Sequence, residues 1–122
     1  MENLQRGDLV VVAFPYTDLS QQKRRPALVL NENTEEGDVI LAFIGTHLPS
    51  QLNPTSIILR CDEQNFANTG LKADSVIRLD KLATIERRLI TRRIGKLTSA
   101  QMPAIDLGLL FALRITLNEP SP

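Results

Sequence analysis

The stretch "IDLGLLFALRITL", residues 105–117, decides the class of this fold. Leu107, Leu109, Leu110, Phe111, Ala112, Leu113, Ile115 and Leu117 crowd it, too densely for the two-residue alternation of a half-buried strand. Just upstream, "TSAQ" (98–101) matches a capping box, and Pro103 falls early enough to sit in a first helical turn. The spacing predicts a single helix at the end of the chain. Its apolar residues nearly encircle it, with Asp106 and Arg114 as the main polar interruptions. A helix lying on one small sheet keeps a polar face. The surplus apolar surface therefore calls for a second partner, most simply another copy of the chain.

Upstream of the helix the chain reads as strands. "GDLVVVAF" (7–14) is β-branched and is stopped by Pro15. "YTDLSQQKRR" (16–25) has no apolar period and reads as a loop, after which "PALVLNE" starts a second strand on Pro26. "VILAFIG" (39–45) and "TSIILR" (55–60) are two more, separated by the prolines of "THLPSQLNP". "CDEQNFANTG" has room for one helical turn before Gly70. In "SVIRLD" (75–80), Ile77 and Leu79 point one way while Val76, Arg78 and Asp80 point the other. "ATIE" and "ITRRIG" read as further short strands or a strand and a turn. Many short strands and one terminal helix predict a mainly β protein, a small SH3-like barrel or half-barrel. We expect one domain over residues 1–117 and a frayed tail over 118–122.

A single cysteine, Cys61, rules out an intrachain disulfide and fits a reducing cytoplasm. The N-terminal "MENLQRGD" has no apolar core of a signal peptide, and no run approaches a membrane span. The net charge is zero, yet residues 78–96 carry seven cations against Asp80 and Glu86, a local net of +5. A basic stripe on a neutral chain suits a local anionic partner, although a solvated face also accounts for it.

One His and one Cys leave no metal-ligand spacing, and no glycine-rich phosphate loop or nucleophile elbow is present. His47 reads as a solvated loop residue. What remains is a set of arginines and hydroxyls at strand ends. Arg25 enters the second strand behind Lys23 and Arg24, Thr46 leaves the third, and Arg78 and Asp80 share a face. Guanidinium groups grip phosphate bidentately, and a carboxylate beside arginines stays ionised and can accept a proton from a hydroxyl. Together they could drive attack of a ribose 2′-OH on its own phosphate without a metal. On pattern alone, a local ion pair is the simpler account of Arg78 and Asp80.

These residues carry a resemblance. "GDLVVVAFPYTD…KRRPALVL" resembles the opening of the PemK/MazF family of ribonuclease toxins, "IGTHL" its third-strand end, and "TGLKADSVIRLDKLATIERRLITRRIGKLTSAQM" its later segment. The match runs from about residue 6 to residue 113. The resemblance implies an SH3-like barrel that dimerises. It implies metal-independent, sequence-selective cleavage of single-stranded RNA such as mRNA, with no cofactor, and a cognate antitoxin as partner. It makes Arg25, Thr46, Arg78 and Asp80 the catalytic set. Lys23, Arg24, His47, Arg87 and Arg88 are expected beside them as substrate contacts, and the basic run from Arg87 to Arg93 is heavier than the family pattern requires. The PemK-like branch has a histidine in the first loop, where Leu19 stands nearest here, so the substrate-contacting loop differs. The alternatives are a non-catalytic toxin of the same fold and a decayed toxin that binds without cutting.

Overall fold

The computed structural model describes residues 3–14, 23–32 and 37–118. Six strands form one antiparallel sheet: β1 (Asp8–Phe14), β2 (Lys23–Val29), β3 (Val39–Gly45), β4 (Ser56–Leu59), β5 (Ser75–Ile85) and β6 (Ile90–Lys96). Their order across the sheet is β4-β5-β3-β2-β1-β6. A 3-10 turn at Phe66–Thr69 follows β4, another at Arg87–Leu89 links β5 to β6, and the helix α1 (Met102–Ala112) is the last element. The mainly β architecture with a terminal helix is as expected. The sheet curls into a barrel-like shape without closing, since β4 pairs only with β5 and β6 only with β1 among the described residues.

Both faces of the central strands are buried, which is why their sequences are continuous apolar runs rather than alternations. Leu9, Leu28, Ala42, Ile44, Ile77 and Leu79 pack on one face with Ile105 of α1. Val10, Val12, Ala27, Val29 and Leu41 pack on the other with Leu4, Ile85 and Ile90. The Gly-Asp at the head of β1 is structural. Gly7 has φ 99°, a left-handed conformation that favours glycine, and its amide donates to the Val29 carbonyl at 2.9 Å. The buried Asp8 carboxylate accepts the Gln5 amide at 2.8 Å and faces Arg93 at 3.5 Å.

Three boundaries differ from the sequence reading. β2 begins at Lys23, so Lys23–Arg25 belong to the strand and Pro26 is its fourth residue. This is tolerated because β2 pairs with β3 only from Ala27 onward, leaving Pro26 where that ladder has stopped. β5 is one strand through Ile85, but its pairing with β3 jumps from Phe43–Arg78 to Ala42–Leu82. Leu79, Asp80 and Lys81 form the resulting bulge. Finally, α1 stops at Ala112, five residues short of Leu117. Arg114 takes φ 54°, and the amides of Arg114 and Ile115 donate back to the carbonyls of Phe111 and Leu110 at 3.2 and 2.9 Å, a Schellman arrangement. Residues 98–101 form a turn in which Gln101 Oε1 accepts the Thr98 amide at 2.8 Å, so the expected capping box does not start the helix: α1 has Gln101 at its N-cap with no side-chain cap hydrogen bond.

α1 lies close against the sheet. Only Ile105 and Gly108 of α1 are fully buried, and a side chain at Gly108 would collide with Leu79 and with the Pro54 carbonyl. Arg6 pairs with Asp106, tying the N-terminal segment to the helix.

Candidate active site

The register assembles the site. Ser56, Arg78, Phe43, Ala27, Val10 and Arg93 form one row across all six strands, so they share a face. Arg25 is two residues from Ala27 on β2, on that same face and exposed. Arg25 and Arg78 are thus two strands and two residues apart, about 12 Å between Cα atoms from standard sheet spacings. Two arginine side chains can converge on one ligand over that span.

Asp80 joins them through the bulge. The alternation carries it to the side of Arg78, and the two form a bidentate pair, with Arg78 Nε donating to Oδ1 at 2.9 Å and Nη2 to Oδ2 at 3.0 Å. Both side chains are half-exposed. The hydrogen bonds from Arg78 hold the Asp80 carboxyl below its usual range, and Asp80 in turn raises Arg78. Asp80 is therefore ionised at neutral pH. Arg78 spends one N–H from each of two nitrogens on this pair, which leaves Nη1 and the remaining Nη2 proton for another acceptor. The ion pair expected from the pattern is present, set on the face that carries Arg25.

Thr46 and His47 follow β3 directly, and both are exposed. Gly45 pairs with Val76 on β5, and continuing the β2–β3 register beyond Ala27 sets Arg25 across from Gly45 on the other side. Thr46 therefore leaves the sheet at the level of Arg25. The three cations of β2 divide by parity: Lys23 shares the face of Arg25, while Arg24 projects to the opposite face. Arg87 and Arg88 lie in the turn that enters β6 at Ile90, and Ile90, Val12 and Arg25 form one row, so this turn flanks Arg25 on the side away from Arg78. Arg88 is engaged by Glu86 at 2.5 Å. Leu19, with the rest of residues 15–22, lies outside the described residues, as do residues 33–36 of the acidic turn and 119–122 of the tail.

An open groove of about 770 Å³ adjoins Asp80, lined by Thr55, Leu107, Leu110, Phe111, Arg114 and Ile115 among others. Sequence reasoning did not place Arg114 near Asp80. It had only a cation inside an apparently continuous helical run to go on. Leu107 and Phe111, which line it, and Leu113 and Leu117 are each more than half exposed, Leu117 at 74%. Among the described residues, no three His, Cys, Asp or Glu side chains gather as a metal site would require.

A family model described as the PemK-like, MazF-like toxin of type II toxin–antitoxin systems matches residues 5–113. The probable endoribonuclease MazF of Mycolicibacterium smegmatis is 29% identical over 115 residues, covering 92% of this chain and 98% of the relative. Among solved structures, MazE–MazF (Form II) from Deinococcus radiodurans superposes with a TM-score of 0.75 at 18% identity, over 95% of this chain and 100% of that one. An endoribonuclease in complex with its cognate antitoxin, from a mycobacterial species, gives 0.71 at 19% identity, over 94% and 99%. At such identities the structures establish a shared fold, while the family model spans most of the sequence. The chain belongs to the PemK-like, MazF-like toxins of type II toxin–antitoxin systems.

Proposed function

We propose that this toxin is a metal-independent, sequence-selective endoribonuclease acting on single-stranded RNA. The observation that carries the reading is the bulge of β5, which sets an ionised Asp80, gripped by Arg78, on the sheet face that also bears Arg25. In the proposed reaction Asp80 takes the proton of a ribose 2′-OH, and the O2′–P bond forms as the P–O5′ bond breaks. Arg25 stabilises the charge on the five-coordinate phosphorus and holds a water that protonates the departing 5′-oxygen; Asp80 then returns its proton to solvent. Arg78 orients Asp80 and offers its remaining N–H groups to the phosphate. Thr46 donates a hydrogen bond to the phosphate, while Lys23, His47, Arg87 and Arg88 steer the strand; Arg24, on the opposite face of the sheet, falls outside this set. The products are a 2′,3′-cyclic phosphate and a 5′-OH end.

A second reading keeps the fold without the chemistry: a toxin that binds RNA, its antitoxin or a protein target without cutting. It is favoured by the engagement of both Asp80 oxygens by Arg78. The test is an end-labelled single-stranded RNA incubated with the protein in excess EDTA. The nuclease reading expects cleavage to cyclic-phosphate ends, abolished by Arg25→Ala. Intact RNA that stays bound would leave only the binder.

The same reading includes a homodimer, a cognate antitoxin and a cytoplasmic site of action. Support for the dimer comes from the exposed Leu107, Phe111, Leu113, Ile115 and Leu117, clustered within residues 107–117. Light scattering should give twice the chain mass at micromolar concentration, and a monomer there would refute the dimer. No helix among the described residues is long and apolar enough to cross a membrane.

A further inference from the structure

The six glycines can be sorted by what the fold asks of them. Gly7, Gly37 and Gly70 have positive φ, where other residues are strained. At Gly95 and Gly108 a Cβ would run into backbone, that of Asn68 and Thr69 in one case and Pro54 in the other. Gly45 has neither excuse. It closes β3 without a positive φ, and among the described residues a Cβ built there meets nothing within 4 Å. Where neither backbone conformation nor a close approach within the fold calls for a glycine, its missing side chain leaves room for another molecule against the backbone.

Its position says which molecule. Gly45 shares the face of Phe43, and so the face of Arg25, Arg78 and Asp80. Continuing the β2–β3 register past Ala27, where that ladder has stopped, sets Arg25 across from it on one side, and Arg78 is two residues from its partner Val76 on the other. Gly45 is thus a half-buried piece of backbone without a side chain between the strand positions that carry Arg25 and Arg78. We propose that Gly45 is the floor of a nucleotide subsite, in which the ribose and base next to the gripped phosphate of single-stranded RNA lie directly on the β3 backbone. The inference rests on the RNA-binding part of that reading and adds a residue that sets how deep the RNA sits.

The test uses Gly45→Ala and Gly45→Val in the full chain. Binding is read by fluorescence anisotropy on a fluorescein-labelled, 2′-O-methylated RNA of mixed sequence, which cannot be cleaved by 2′-OH attack. Cleavage is read separately on unmodified RNA. We expect Gly45→Val to melt no lower than the parent, because strand backbone accepts a β-branched residue and the space is open. We expect it to lose affinity and kcat/KM by roughly 10- to 100-fold, as for a substrate displaced by about an ångström, with Gly45→Ala in between. Parental affinity and cleavage in Gly45→Val would overturn the subsite. So would a drop in melting temperature, which would mean that the chain itself fills the space, or a switch to monomer, which would assign the space to a second copy. A parent that binds the modified RNA but cuts none would sink the nuclease reading while leaving the subsite standing, provided Gly45→Val still weakens binding. A parent that binds no RNA would overturn both.

Discussion

Gly108→Ala opposes local preference to packing, and the structure says which wins. Alanine favours a helix interior over glycine by about 1 kcal/mol. The added Cβ, however, would stand 2.8 Å from the Pro54 carbonyl oxygen and closer still to Leu79 Cδ1. Overpacking of this kind costs about 1–3 kcal/mol. The upper end applies, because the first obstacle is backbone and the second is a side chain with no exposed surface in the packed cluster of Ile77 and Ile105. The net is a loss of about 2 kcal/mol, which lowers the melting temperature by roughly 6–12 °C in a domain of this size. Circular dichroism melts of the two proteins decide the matter. Leu79 lies between Arg78 and Asp80, so RNA cleavage well below the melting range should fall as well. An unchanged or higher melting temperature would show that α1 does not seat against β5 as described.

Arg114→Gly should raise stability by about 1 kcal/mol, since a left-handed φ costs an L-residue and not glycine; a less stable variant would mean that the Arg114 side chain contributes more than its backbone costs. Asp80→Asn should lower cleavage by roughly 10²–10⁴-fold with little change in melting temperature, and full activity would remove Asp80 as the base. NMR titration should place Asp80 below the ordinary 3.8, with Arg78→Gln returning it upward. Because the folded pKa is depressed, the contribution of this pair to stability is complete above the unfolded pKa and is lost as pH falls through the folded one. The half-exposed setting keeps that contribution small. An Asp80 that titrates at or above 3.8 would break the link to Arg78.

The strand core was legible because burial on both faces writes itself as apolar runs, as in "VVVAF" and "VILAFI". The alternation of "SVIRLD" sent Ile77 and Leu79 to the core and brought Arg78 to Asp80 correctly. The bulge at Leu79–Lys81 was not legible, because it is a mismatch of register with β3, set by partners far away in sequence. The helix end was missed for a local reason. Its left-handed residue is Arg114, where a glycine would have marked the stop, and the apolar residues continue to Leu117. The early start of β2 was hidden by its charges, since exposed residues on a strand whose neighbour has stopped pairing look like a loop.

The seat of α1, with Ile105 and Gly108 buried, Met102 and Leu109 partly packed and an ion pair at Asp106, divides the molecule by how easily its parts open. The apolar stretches of β1, β2 and β3 are buried on both faces and should open only near the global unfolding free energy, whereas Lys23–Arg25 at the head of β2 are exposed. α1 can lift away at lower cost, exposing Ile105 and uncovering Leu79 at the bulge of β5. The apolar half of β2 and the segment around Asp80 then belong to different cooperative units. In hydrogen exchange Ala27–Val29 would be among the last to exchange, while the segment around Asp80 would exchange with the helix. In the nuclease reading, the side of the site that would accept the proton is only as durable as the docking of one short helix.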